Sequence, residues 1–500
     1  MPEAAPPAGR AAVSRTVVLR ASAWALGSRW IVRLLGLIST IVLARLLTPE
    51  DFGLVSMAMI ILAFTEAVLE FGVRTVLIHH DTLTRDDYDT AWTMNLIQAV
   101  LAAAITFALA YPAAVYFDDP RVPPVVMAMA AAMVIGGFQN VGIVDFQRDL
   151  SMGRDFLLFV VQKLASVVVA VTLAVLLQSY WALVAGYATA RVASVVMSYV
   201  LHPYRPRLSL KSLRRFLRMS LWLTVQSVGR FAQLRLDRII VGGAAGPAAL
   251  GFYSVASDLA NMLVGELLAP VGRALLPAFA ALQNQLDRLR AAAEQAISGS
   301  AALALPTALG AALTARELIH VVFGEQWVPS VPVFQVVCLT MAVIALRHPV
   351  GTLLVAVGRM ALSGWGTWAQ AGIFAGAWWL WFRDDGLAGV ATATLIGAAA
   401  FTLVSYARVL QVGLITPLQL LRAVSRPLLA TAGMAVVLLS LPPAAVPTVL
   451  DFVLRVAVGG VTYTVLLLAA WAVLGRPAGL ERIALDMLLS GLRRRRSRAA

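Results

Sequence analysis

Arg29 and Arg33 lie four residues apart in an apolar stretch with no acid between them. On a helix, positions i and i+4 share a face, so the two guanidinium groups would stand side by side. A charge at the centre of a bilayer costs about 2.5–3.5 kcal/mol even on the mildest scale, and two adjacent cations repel each other. The pair makes physical sense if it lines a wet cavity and receives an anion. A diphosphate suits it, because guanidinium offers phosphate oxygens a planar fork and never loses its charge. The bland alternative places Arg29 shallow enough to snorkel to the headgroups. Lys163 and Arg191, each within another apolar stretch, would add to a positive cavity.

Arg230, Arg235, Asp237 and Arg238 cluster further along. Asp237 pairs poorly with an arginine two residues away on its own helix, so a partner on another helix is expected. Arg235 joins Arg29, Arg33, Lys163 and Arg191 as the candidate substrate-binding set. Glu66, Glu70 and Arg74 follow i,i+4 spacing; Glu70–Arg74 reads most simply as a helix-surface pair, and the deeper Glu66 could titrate and couple transport to protons. With Asp237, Arg238 and Arg347-His348 they form the candidate gate or ion-coupling set, although a lone histidine is more often a packed polar residue.

The elements that must carry these residues are membrane helices. Of the 500 residues, 60% are hydrophobic and only 13% charged, about half the roughly 25% usual in soluble domains. Mean hydropathy is +0.82. Such a chain has too little polar surface for a soluble enzyme and too much apolar content for disorder. Apolar runs of spanning length recur at 22–47, 53–78, 89–111, 123–145, 155–176, 179–201, 217–240, 248–279, 293–314, 331–356, 361–382, 387–407, 427–443 and 449–474. They are too long for barrel strands, and helices satisfy their own backbone in lipid. The expected fold is an all-α polytopic membrane protein of about fourteen spans. Thr48-Pro49, Tyr111-Pro112, Pro123-Pro124, Gly246-Pro247 and Pro442-Pro443 are read as breakers between spans.

The 40 basic and 26 acidic residues leave a net charge of +14, and Lys163 and Lys211 are the only lysines. With a cytoplasmic N-terminus, most arginines fall on inward loops and only Arg121, Arg316, Arg383 and Arg45 at most on outward ones, which places both termini inside. The outward loops are short, and the bases are not gathered on a soluble face as nucleic-acid binding requires. The segment from Ile41 matches that from Ile239 at a constant offset of 198, including Pro49/Pro247, Gly53/Gly251 and Ser56/Ser254. The expected organisation is a disordered tail at 1–20, a six-helix lobe at 21–201, a basic linker at 202–216, a second six-helix lobe at 217–410, two helices at 411–475 and a basic tail at 476–500. A parallel repeat of this kind places substrate between halves in transporters.

Ala44-Arg45-Leu46-Leu47-Thr48-Pro49-Glu50-Asp51-Phe52-Gly53-Leu54, followed by Glu70-Phe71-Gly72-Val73, resembles the opening of the polysaccharide (Wzx-type) flippases of the multidrug/oligosaccharidyl-lipid/polysaccharide exporter superfamily. Later segments resemble it too: Arg235-Leu236-Asp237-Arg238, Leu250-Gly251-Phe252-Tyr253, Val322-Phe323-Gly324-Glu325-Gln326-Trp327, Val357-Gly358-Arg359 and Gly386-Leu387-Ala388-Gly389-Val390. The resemblance covers about 20–475. It implies two bundles around a central cavity, alternating access, and a polyprenyl-diphosphate-linked oligosaccharide as cargo in a bacterial inner membrane. Membrane lipids, a polysaccharide polymerase and chain-length machinery are the further partners it implies.

The alternatives are a peptidoglycan lipid-precursor flippase or multidrug exporter of the same superfamily, and a membrane glycosyltransferase or polymerase. The intramembrane arginines favour phosphate over cationic drugs. The outward loops are too short to frame a catalytic domain, so no enzyme is expected. There is no GxxxxGK[ST] for an ATP-driven pump and no HExxH or comparable metal spacing among the five histidines. No metal or cofactor is expected, and the single Cys338 excludes an intramolecular disulfide.

Overall fold

A computed structural model describes residues 15–79, 83–149, 151–442 and 448–473. The expected tails therefore lie largely outside the described residues, as do the side chain of Arg29 and Pro443. Among the described residues every regular element is a helix.

The chain divides into two compact units, Met1–Phe231 and Ala232–Ala500. Unit 1 holds α1 (Arg15–Leu46), α2 (Pro49–Val68), α3 (Val73–His79), α4 (Arg85–Phe117), α5 (Val122–Gly137), α6 (Asp145–Arg148), α7 (Met152–Leu177), α8 (Trp181–Leu201) and the first part of α9 (Leu213–Ala260). Unit 2 holds the rest of α9, then α10 (Glu266–Leu282), α11 (Leu286–Leu313), α12 (Ala315–Phe323), α13 (Val331–Ala356), α14 (Met360–Ala377), α15 (Gly386–Gln411), α16 (Pro417–Ser440) and α17 (Val449–Val473).

Local chemistry explains the helix starts. Thr48 and Asp51 form a capping box at α2, with Pro49 in the first turn, where its missing N–H costs nothing. Thr84 with Asp87 and Thr416 with Gln419 do the same for α4 and α16. Pro247 follows a non-helical residue just as Pro49 does: Gly246, at φ 79 and ψ −175, interrupts α9. The repeated proline thus opens a new helical run in both copies.

Among the described residues ten helices are long and apolar enough to cross a membrane, or eleven if the bent pair Val122–Gly137 and Val141–Arg148 is one span. The expected fourteen is not reached by this measure. One reason is that Thr224–Leu268 counts as a single 45-residue stretch. At 1.5 Å per residue it would be roughly 68 Å long, over twice the ~30 Å hydrocarbon core, and the Gly246 break divides it. Elsewhere the expected boundaries need correction. Span two is broken at Leu69–Gly72, between α2 and α3. Span four bends by 75° before residue 141. Pro112 does not end its helix; it lies inside α4, which runs on to Asp118 in the left-handed conformation. Pro427 likewise lies inside α16, which starts ten residues before the expected 427.

Candidate functional site

In unit 1, α1 packs against α7, and α7 against α8. Gly36 lies three residues beyond Arg33, on the same face of α1. A Cβ built on Gly36 would sit 3.5 Å from Lys163 Cε and 3.7 Å from Nζ. A side chain at 36 would meet it only in ordinary van der Waals contact, so Lys163 of α7 lies against the arginine-bearing face of α1. Arg33 is exposed and Lys163 half-buried. Among the described residues Lys163 has no carboxylate within ion-pair distance. Lys163 is therefore set against the helix face that bears Arg33.

Arg191 behaves differently. Its Nη2 donates to Glu66 Oε1 at 3.0 Å and to Tyr187 Oη at 2.9 Å, and its Nε donates to the same hydroxyl at 3.2 Å. The guanidinium also lies over the Tyr187 ring, 5.1 Å from its centroid. A Cβ on Gly136 would meet Arg191 Cδ at 3.2 Å, so α5 narrows to admit this side chain. Glu66 and Arg191, assigned to separate roles in the sequence, are thus one ion pair between α2 and α8. Tyr187 was missed there, although its i,i+4 spacing from Arg191 was the available signal.

The Glu70–Arg74 helix pair is not formed. The helix they were expected to share stops at Val68 and restarts at Val73, so i,i+4 geometry is lost. The Glu70 carbonyl instead accepts the hydroxyl of Thr224 at 3.1 Å.

At one end of unit 1, α2 is tied to two loops. Arg121 donates to Glu50 Oε1 at 2.5 Å and to Asp119 Oδ2 at 2.7 Å, and Asp51 Oδ1 accepts the Tyr180 N–H at 3.0 Å. The Arg121 guanidinium holds the Asp119 carboxyl below the usual carboxylate range, against the opposing effect of burial.

In unit 2 one group of charges, around Arg238, closes on itself, while Arg347 does not. Arg238, 9% exposed, donates to Asp258 Oδ1 at 2.6 Å. Asp237 accepts the Arg238 N–H and the Tyr253 hydroxyl, both at 2.8 Å. Asp258 and Tyr253 lie beyond the Gly246 break, so these contacts brace the two halves of α9. The partner of Asp237 is a phenol sixteen residues on, across the Gly246 break. Arg235 is half-buried beside this cluster. Arg347 stacks on the Phe401 ring at 4.3 Å, and its buried Nε has no hydrogen-bond acceptor. His348 is exposed and lies so near α10 that a Cβ on Gly272 would stand 2.4 Å from its Cε1. No group of His, Cys, Asp and Glu suited to a metal occurs among the described residues.

The chain is similar to proteins of polysaccharide export. It is 26% identical over 497 residues to the succinoglycan biosynthesis transport protein ExoT of Rhizobium meliloti, covering 98% of both chains. It is 25% identical to the lipopolysaccharide biosynthesis protein WzxC of Escherichia coli, over 66% of this chain and 68% of that one. It is 23% identical to a membrane protein of the Klebsiella pneumoniae cps region, over 78% and 81%. Among solved structures, the lipid II flippase MurJ in an inward closed conformation matches 90% of this chain and 99% of its own, with a TM-score of 0.72 at 11% identity. An inward-facing multidrug MATE transporter matches 77% and 95%, with a TM-score of 0.60 at 16% identity. Both likenesses are of fold. The family described as "Polysaccharide biosynthesis protein" matches residues 42–332, more than half of the chain, and this Wzx-type membrane protein belongs to it.

Proposed function

We propose that the protein is a flippase that carries a polyprenyl-diphosphate-linked oligosaccharide from the inner to the outer leaflet of a bacterial inner membrane, by alternating access, for the export of a surface or secreted polysaccharide. The observation that carries the reading is the approach of Lys163 to Gly36 on the Arg33-bearing face of α1. An ammonium held inside a membrane unit with no ion-pair partner among the described residues is stabilised by an anion that comes and goes. A diphosphate supplies that charge at the point where the lipid joins the sugar. The relatives named for succinoglycan transport and lipopolysaccharide biosynthesis point to the same cargo class. A peptidoglycan lipid-precursor flippase and a drug exporter share the fold, but only at 11% and 16% identity.

The loop charges favour a cytoplasmic position for both termini. A Leu210→Cys variant should then resist a membrane-impermeant thiol reagent added from outside, and labelling from outside would reverse the topology. Deleting the gene in its host should stop polymer output and leave lipid-linked oligosaccharide on the inner leaflet. Unchanged polymer with no accumulated intermediate contradicts the cargo assignment.

A further inference from the structure

Residues 202–212 connect α8 to α9 and carry Arg205, Arg207 and Lys211. Their composition reads as a solvated basic linker. In the structure they are extended and hung along the first turns of α4. Tyr204 Oη donates to Asp89 Oδ1 at 2.5 Å, and the Arg207 N–H donates to the same oxygen at 2.9 Å. The Ser209 N–H donates to Thr93 Oγ1 at 3.0 Å and the Ser212 N–H to Thr90 Oγ1 at 3.2 Å. Lys211 Nζ lies 3.4 Å from Asp86.

Residues 86, 89, 90 and 93 fall at i, i+3, i+4 and i+7, so one stripe of α4 receives the whole segment. Asp89, Thr90 and Thr93 are 4%, 0% and 5% exposed. The start of the segment is held from a second side. Asn140 Nδ2 donates to the carbonyls of His202 and Tyr204, at 3.4 and 2.8 Å. The His202 ring is pressed onto Gly142, where a Cβ would stand 2.2 Å from Nδ1. A mobile linker gives its backbone N–H groups to water. Here three of them end on side chains of one helix, and lifting the segment away would strand a carboxylate and two hydroxyls that it now buries.

We infer that residues 202–212 form a fixed strap that stays docked on α4 throughout the transport cycle, so that any freedom in the chain begins only beyond Ser212. This rests on reading the protein as a transporter that cycles between states. The placement of α9 up to Phe231 within unit 1 agrees with it.

The test uses the full chain in proteoliposomes, with Thr93→Cys and Ser209→Cys in a Cys338→Ala background. The two thiols are joined by a short bis-methanethiosulfonate bridge, and the probe is a polyprenyl-diphosphate-linked disaccharide. The bridged protein should retain at least half the transfer rate of the unbridged one. A tenfold or greater loss on bridging, reversed by reducing agent, overturns the strap. If wild-type protein does not move the probe, the cargo reading is what fails, and hydrogen exchange decides on the strap. The amides of Arg207, Ser209 and Ser212 in the wild-type protein should exchange at least a hundredfold more slowly than in a synthetic peptide of residues 202–212. Exchange at the peptide's rate overturns the inference.

Discussion

Units 1 and 2 hold their intramembrane charges in different ways. In unit 1, Lys163 reaches the Arg33-bearing face of α1 with no carboxylate at ion-pair distance among the described residues. In unit 2, Arg238 and Asp237 are closed on Asp258 and Tyr253 across a helix break. A buried charge that is closed on itself stabilises one arrangement of helices. A charge with an open side is available to a ligand. Charged residues in the two units thus differ in burial and in the identity of their partners. The Arg191–Glu66 pair lies between these extremes, since its two side chains remain 35% and 49% exposed.

The comparison is broken most directly by removing the closed charge. Arg238→Met should destabilise unit 2 by about 3 kcal/mol, the low end for one partner of a buried pair, because Asp258 is itself open to solvent. Thermal unfolding in detergent should show it. An Arg238→Met protein that is fully stable yet inactive would move this residue from bracing to transport. Lys163→Ala, by contrast, should leave unfolding nearly unchanged and cut transport at least tenfold.

A smaller effect is expected at the intermediate pair. Glu66→Gln should cost about 1 kcal/mol, because Tyr187 continues to accept from Arg191. A loss as large as that of Arg238→Met would show that the pair is closed in the manner of unit 2.

The smallest effect is one of pH, at the end of unit 1 that holds the strap. Burial lowers the His202 pKa, assisted by Arg154 and Arg205 and opposed by Asp145. Its Nε2 lies 3.4 Å from Asp145 Oδ2, while Nδ1 accepts the Tyr204 N–H at 3.2 Å. Tyr88 donates to the other Asp145 oxygen. The folded state disfavours the proton, so the stabilisation is full above the ordinary histidine pKa of about 6.5. It falls as pH drops through that value toward the lowered one. The Tyr204 amide, corrected for intrinsic rate, should exchange faster at pH 5 than at pH 7.5. His202→Asn should flatten that dependence, and an unchanged profile would contradict the assignment.

The sequence made the helices readable because spanning segments need long apolar runs and the backbone then has one way to satisfy itself. Pro49 and Pro247 could be read as paired because a proline in a first helical turn works in any context. Pro112 and Pro427 could not be distinguished from them, since whether a proline ends a helix depends on neighbours that replace the lost bond. The cations were visible as residues out of place, but their partners were not. Tyr187 stood at a helical spacing from Arg191 and could have been found. Tyr253 lies beyond a backbone break from Asp237, and Phe401 is 54 positions from Arg347, so only the packed fold brings each pair together. Gly36 carried no signal because nothing in its spacing marks it as the neighbour of a lysine on another helix. The docking of residues 202–212 was not legible because it depends on backbone N–H groups, which composition does not record.

The most direct test of the open-charge account compares Lys163→Ala, Lys163→Arg and wild type for transfer of a polyprenyl-diphosphate-linked disaccharide in proteoliposomes, at matched protein levels and matched unfolding temperatures. The account predicts at least a tenfold loss for Lys163→Ala and substantial recovery for Lys163→Arg. Equal transfer by Lys163→Ala and wild type would contradict it.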